Sequence, residues 1–182
     1  FSGFMSGKSR AEKWCNYSYM NLFEKLFTEL NKSKVEYLVV GGVAVNLHGY
    51  VRFTGDLDLL ILLNEKNIQK MDTVMKKLGY SPRLPVTIFD LGNIKKVKEW
   101  FKTKNLKAFT FMPPKDNPLE IDIIIEESLR FDKIEKDKVV KSIDKVKIPV
   151  VSIVQLLKMK KKAGRPSDVQ DIKALLDIKG LL

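Results

Sequence analysis

Between Gly41 and Ile61 the chain reads GGVAVNLHGYVRFTGDLDLLI, and two acids, Asp56 and Asp58, open what is otherwise an apolar run. A buried carboxylate is costly unless it is paired or bound to a metal. On a strand, side chains two apart share a face, roughly 7 Å from one another along the chain. Asp56 and Asp58 therefore point one way while Leu57 and Leu59 point the other. Two like charges so placed repel, and both stay ionised only with a cation between them. Mg²⁺ suits such a pair, because it takes one or two carboxylates and fills its shell with water and substrate phosphates; Mn²⁺ is the alternative.

The surrounding chain supplies a frame for this pair. YMNLFEKLFTELNKSK spaces Leu22, Leu26 and Leu30 by four, with Phe23 and Phe27 beside them, which predicts an amphipathic helix ending near Asn31. VEYLVVGG reads as a strand stopped by Gly41 and Gly42, followed by one or two helical turns closing at Gly49. DLDLLILL is the next strand, and NEKNIQKMDTVMKKLGY a helix capped by Asn64 and ended at Gly79. SPRLPVTIFDLGN wanders between its prolines, and NIKKVKEWFKT predicts a helix with Ile94, Val97 and Phe101 on one face. KAFTFM and LEIDIII form a hairpin around the turn-rich PPKDNP. A Lys-rich polar segment, a short VKIPVVS strand and two helices follow, the last with its N-cap near Ser167 or Asp168. The expected architecture is α+β: a small twisted mixed sheet flanked by helices, with C-terminal helices. Residues 1–182 are expected to form one domain, with a core over about 35–150 and a helical tail over 151–182.

LEIDIII repeats the carboxylate theme, with Glu120 and Asp122 on one face. Placed beside DLDLLILL, this strand adds a third carboxylate, enough to hold two metals that activate an attacking oxygen and steady a leaving pyrophosphate. Gly41 and Gly42 sit where a strand gives way to a helix, the place at which bare backbone N–H groups approach a phosphate.

Together these features resemble the nucleotidyltransferase superfamily related to DNA polymerase β. GGVAVNLHGYVRFTGDLDLLI is similar to the pattern GG-x-A-x(3)-HG-x(2)-R-x-T-x-D-x-D of small bacterial members, among them antibiotic nucleotidyltransferases and AbiEii-like toxins of toxin–antitoxin pairs. MKKKAGRPSDVQDIKAL resembles their C-terminal signature, although Ser167 stands where a lysine is common and Leu57 replaces the usual isoleucine or valine. The resemblance spans roughly residues 37–175. It implies that Asp56, Asp58 and Asp122 hold the metals and that Asp122 helps activate the acceptor. Gly41 and Gly42 would bind the triphosphate, with Arg52 and Thr54 at matching positions. Lys160, the catalytic tail lysine, would approach the nucleotide phosphates, and Asp168 and Asp171 match the two tail acids. The expected activity is Mg²⁺-dependent transfer of an NMP from an NTP to an acceptor. At 182 residues the chain is shorter than many toxin-type members, so an acceptor-binding helical domain is expected to be absent or supplied by a partner chain; the toxin branch of the resemblance implies a cognate antitoxin as a further partner.

Net charge is +11, from 33 Lys and Arg against 22 Asp and Glu. That favours a polyanionic acceptor such as RNA or a tRNA end over a cationic antibiotic, and it equally describes a lysine-rich solvated surface. A binding module of the same fold without turnover, or an antibiotic nucleotidyltransferase, is the alternative. Cys15 is the sole cysteine, which rules out an internal disulfide, and His48 the sole histidine, which rules out a zinc site of the Cys/His type. GFMSGKS has three residues between its glycines where a phosphate-binding P-loop has four. His48 is expected to cap its helix or bond to backbone, and Trp14 and Trp100 to pack in the core. No apolar run reaches membrane-span length and FSGFMSGKSR is not a signal peptide, so a cytoplasmic, membrane-free setting is expected.

Overall fold

In a computed structural model, residues 17–104 and 106–180 are described. Helix α1 (Tyr17–Lys32) buries Phe23, Leu26, Phe27 and Leu30, and the rings of Phe23, Phe27 and Tyr37 stack at 5.9–6.1 Å. Strand β1 (Tyr37–Val39) runs into α2 (Gly41–Leu47), so the glycines do close a strand and open a helix. After β2 (Asp56–Ile61), helix α3 (Glu65–Lys77) is capped as expected: the Asn64 side chain accepts from the Asn67 N–H. Then come β3 (Ser81–Pro82), a 3₁₀ turn over Ile88–Gly92, α4 (Ile94–Lys104), β4 (Ala108–Met112) and β5 (Glu120–Ile124). Two four-residue helical segments, α5 (Ile125–Ser128) and α6 (Phe131–Ile134), lead to β6 (Val139–Ile143), β7 (Val146–Val150), α7 (Ile153–Ala163) and α8 (Pro166–Ile178).

The seven strands form one mixed sheet in the order β3-β4-β5-β2-β1-β7-β6. The α+β architecture is thus the expected one. β4 and β5 pair antiparallel, as the turn between them requires, and β2 lies parallel to β5. That parallel register sets Asp56 opposite Glu120 and Asp58 opposite Asp122. Leu57, Leu59, Ile121 and Ile123 point to the other face and are fully buried in the main hydrophobic cluster.

Several local expectations need correction. β6 lies in the Lys-rich stretch read as polar; it is an outer strand whose residues alternate half-buried and exposed, which leaves little apolar signal. α4 turns Val97 and Trp100, three residues apart and so on one side, inward, and leaves Ile94, its first residue, exposed; the Phe101 side chain lies outside the described residues. The N-cap of α8 is Arg165, with Pro166 at the first helical position, so Asp168 is the third helical residue rather than the cap. Trp14, Cys15 and the GFMSGKS stretch also fall outside the described residues.

Candidate active site

Asp56, Asp58 and Asp122 each offer a carboxylate oxygen, and the three lie within 4.8 Å of one another. Parallel pairing of β2 with β5 creates this cluster, since it brings residues sixty-odd positions apart into one row. Burial, then the charges of Asp56 and Asp122, push Asp58 up to about 7, against the pull of Arg165 and Lys160. Burial likewise raises Asp122, and a hydrogen bond from Thr110 partly offsets it. One Asp122 oxygen, Oδ1, is buried without a hydrogen-bond partner. An orphaned oxygen beside two further carboxylates is the donor set of a hard divalent cation, and the three residues fit one. Glu120 stands apart from the cluster, its carboxylate paired with Arg83.

The glycines are required by close approach. Gly41 has φ +62°, and a Cβ there would lie 1.7 Å from Asp58 Oδ2. At Gly42 a Cβ would come within 2.5 Å of Thr54 Oγ1. Thr54 in turn donates to Asp56 Oδ1 at 3.0 Å, fixing that carboxylate.

A cavity of about 370 Å³ opens on the carboxylates, and it brings Gly41, Asp56, Asp58, Asp122, Lys160 and Asp168 together. Gly42, Arg52 and Thr54 are not among its lining residues. Arg52 makes a two-pronged ion pair with fully buried Asp171, at 2.6 and 2.8 Å, and its backbone is held at both N–H and carbonyl by Asn46. Lys160 is the buried member of its lysine run; its ammonium contacts Asp168 at 3.0 Å and Asp171 at 2.6 Å. Burial would raise Asp171, but hydrogen bonds from Arg52 and Lys160 hold its carboxyl below the ordinary range. His48 ends α2 and donates from Nε2 to the Val151 carbonyl at 2.8 Å, the backbone role expected of it.

Sequence reasoning missed Leu156, Met159 and Ala163, which join Lys160 in the cavity wall. Their positions, three, four and seven apart, mark one face of α7 and carry that signal in the sequence. It also missed Lys107, Glu126 and Lys162, where an ion pair links Lys162 to Glu126 at the rim. Nothing local in the sequence marks those three.

No family model matches the chain, and no curated protein matches it significantly. Solved structures do. The antibiotic-resistance factor ANT(2'')-Ia superposes with a TM-score of 0.57 over 90% of this chain and 89% of its own, at 12% identity. An antigenic nucleotidyltransferase-like protein from Paracoccidioides brasiliensis gives 0.60 over 87% and 75%, at 16% identity. The lincosamide antibiotic adenylyltransferase LnuA, bound to lincomycin, gives 0.56 over 86% and 95%, at 21% identity. The chain has a nucleotidyltransferase fold. Among the described residues of this nucleotidyltransferase-fold chain, no helix is long and apolar enough to cross a membrane.

Proposed function

We propose that the protein is a metal-dependent nucleotidyltransferase. The observation that carries the reading is the cluster of three carboxylates in the wall of a cavity that Gly41 also lines. An acceptor oxygen attacks the α-phosphorus of an NTP, the bond to the β-phosphate oxygen breaks, and pyrophosphate leaves. Asp56, Asp58 and Asp122 would hold Mg²⁺ or Mn²⁺, which neutralises charge on the α-phosphate and the leaving group. Asp122 receives the acceptor proton; its raised affinity for a proton suits that task. Gly41 lets phosphate come close to backbone N–H groups, and Lys160 and Arg165 add positive charge at the cavity wall.

The net charge of +11 supports an RNA acceptor, such as a tRNA end. A toxin of a toxin–antitoxin pair is one setting for such an enzyme, with an antitoxin or helical chain as partner. A second reading, transfer to an antibiotic, draws support from neighbours such as ANT(2'')-Ia, seen in complex with adenylyl-2''-tobramycin. The test offers each α-labelled NTP with Mg²⁺ and total tRNA to the wild type and to the Asp56→Ala/Asp58→Ala variant. Label on RNA that the variant does not transfer is the expected result. Label persisting in the variant would overturn the mechanism; nucleotide binding without any transfer would leave a binding module. For the toxin setting, expression slows growth and the double alanine relieves it.

A further inference from the structure

The carboxylate row divides one face of the sheet into two unlike halves. Toward Leu60 and Ile124 the face is walled by Leu156 and Met159 of α7 and forms the cavity. Toward β4 and β3 it is more open. Thr110 and Met112 on β4, and Glu120 and Asp122 on β5, are only partly covered, while Phe109, Phe111, Ile121 and Ile123 between them are buried on the opposite face. A nucleotide in the cavity leaves this open half as the approach for the second substrate. Asp122, the proposed proton acceptor, stands on the boundary between the two.

Arg83 lies on this half. Its backbone N–H donates to the carbonyl of Thr110, the residue paired with Asp122, at 2.9 Å. Its guanidinium donates from Nε to the Met112 sulfur at 3.2 Å and from Nη2 to Glu120. A thioether is a weak acceptor, so this guanidinium is under-used for a group that binds phosphate with two parallel N–H bonds. The pair with Glu120 is close but solvent-exposed, with Arg83 48% and Glu120 36% exposed, and exposed pairs contribute little stability. A phosphate can take Arg83 from Glu120 at small cost.

Resting on the nucleotidyl-transfer reading, we propose that this open half of the sheet seats the 3′ end of a single-stranded nucleic acid, with its terminal hydroxyl at Asp122 and a backbone phosphate on Arg83. Glu120 lies two residues before Asp122 on β5, roughly 7 Å away. That step is comparable to the span from a terminal sugar hydroxyl to its own nucleotide's phosphate. Glu120 then acts as the competing anion that holds Arg83 when the platform is empty. A cationic small molecule would use the same pair in reverse, binding Glu120 and avoiding Arg83.

The two acceptor chemistries predict opposite signs. Binding of a fluorescent single-stranded RNA oligonucleotide with a free 3′-hydroxyl is measured by anisotropy across a salt series. The proteins compared are the wild type, Arg83→Gln and Glu120→Gln, with folding checked by thermal melts. Arg83→Gln is expected to weaken binding roughly tenfold and to lower the log–log salt slope by about 0.7, the loss of one phosphate contact to a single strand. Glu120→Gln is expected to tighten binding. NTP affinity stays unchanged in both, since neither residue lines the cavity. RNA affinity and salt slope unmoved by Arg83→Gln would overturn the proposal. So would weaker binding in Glu120→Gln together with loss of tobramycin binding, which would assign the platform to a cationic acceptor. This readout needs no turnover: transfer with a flat Arg83 series sinks the platform alone, and an Arg83 effect without transfer sinks only the proposed reaction.

Discussion

Asp58 bears most of the electrostatic strain of the site. Its carboxyl is raised from 3.8 to about 7 in the fold, so the native state holds a proton that the unfolded chain has released. Without metal, this group therefore costs stability progressively as pH rises from about 4 to 7, up to a few kcal/mol. The metal-free protein should melt at a lower temperature at pH 7.5 than Asp58→Asn does, and the gap should narrow as pH falls and close near pH 4. Thermal melts of both proteins across that range check it. Asp171 works in the opposite sense. Its lowered carboxyl stabilises the fold above the ordinary carboxylate range and loses that contribution as pH falls through its native value. Gly41→Ala should abolish transfer and destabilise by roughly 2 kcal/mol or more, because a strained φ and a collision with Asp58 coincide. Gly164 has a similar φ of +61° but open space around it, so Gly164→Ala should cost only about 1 kcal/mol and leave transfer intact. Denaturant unfolding and the label-transfer assay separate the two cases.

The α7–α8 hairpin is tied to the site through Asp171, which receives Arg52 from the loop before β2 and Lys160 from α7. Asp171→Ala would take from Lys160, at 7% exposure, the nearer of its two carboxylates, and would free Arg52 in the loop that carries Thr54 toward Asp56. A loss of about 3–5 kcal/mol in urea unfolding is expected, the range for breaking a buried pair from one side. Elements with strong periodicity were legible: α1, α3 and α7, and the strand carrying Asp56 and Asp58, all fall where their apolar spacing and caps place them. β6 was not, because an outer strand of valine, lysine, serine and isoleucine has only a half-buried face to betray it. The α8 N-cap was misplaced by two or three residues because Ser167 and Asp168 are good caps, while the fixed φ of Pro166 sets the start earlier.

For the molecule as a whole, the proposed metal binding would be linked to stability. Mg²⁺ or Mn²⁺ at a hundred times its dissociation constant should add about 2.7 kcal/mol. For a chain of this size that corresponds to a rise in melting temperature of roughly 5–10 °C. Asp56→Ala/Asp58→Ala should show no rise. An equal rise in that variant would mean the ion binds elsewhere. The sequence by itself determined that two acids share a strand face, that two glycines precede them, and that a second acidic strand exists, since periods of two and local turn chemistry are properties of neighbouring residues. Asp122 was already the third carboxylate that the resemblance implied; only the tertiary structure decided that Glu120 stays outside the cluster. The choice follows from the parallel register of β5 on β2 and from Arg83 drawing Glu120 aside. It also decided that Lys160 and Arg52 converge on Asp171, because the partners of a buried charge are set by which distant elements pack around it, and no local pattern encodes that.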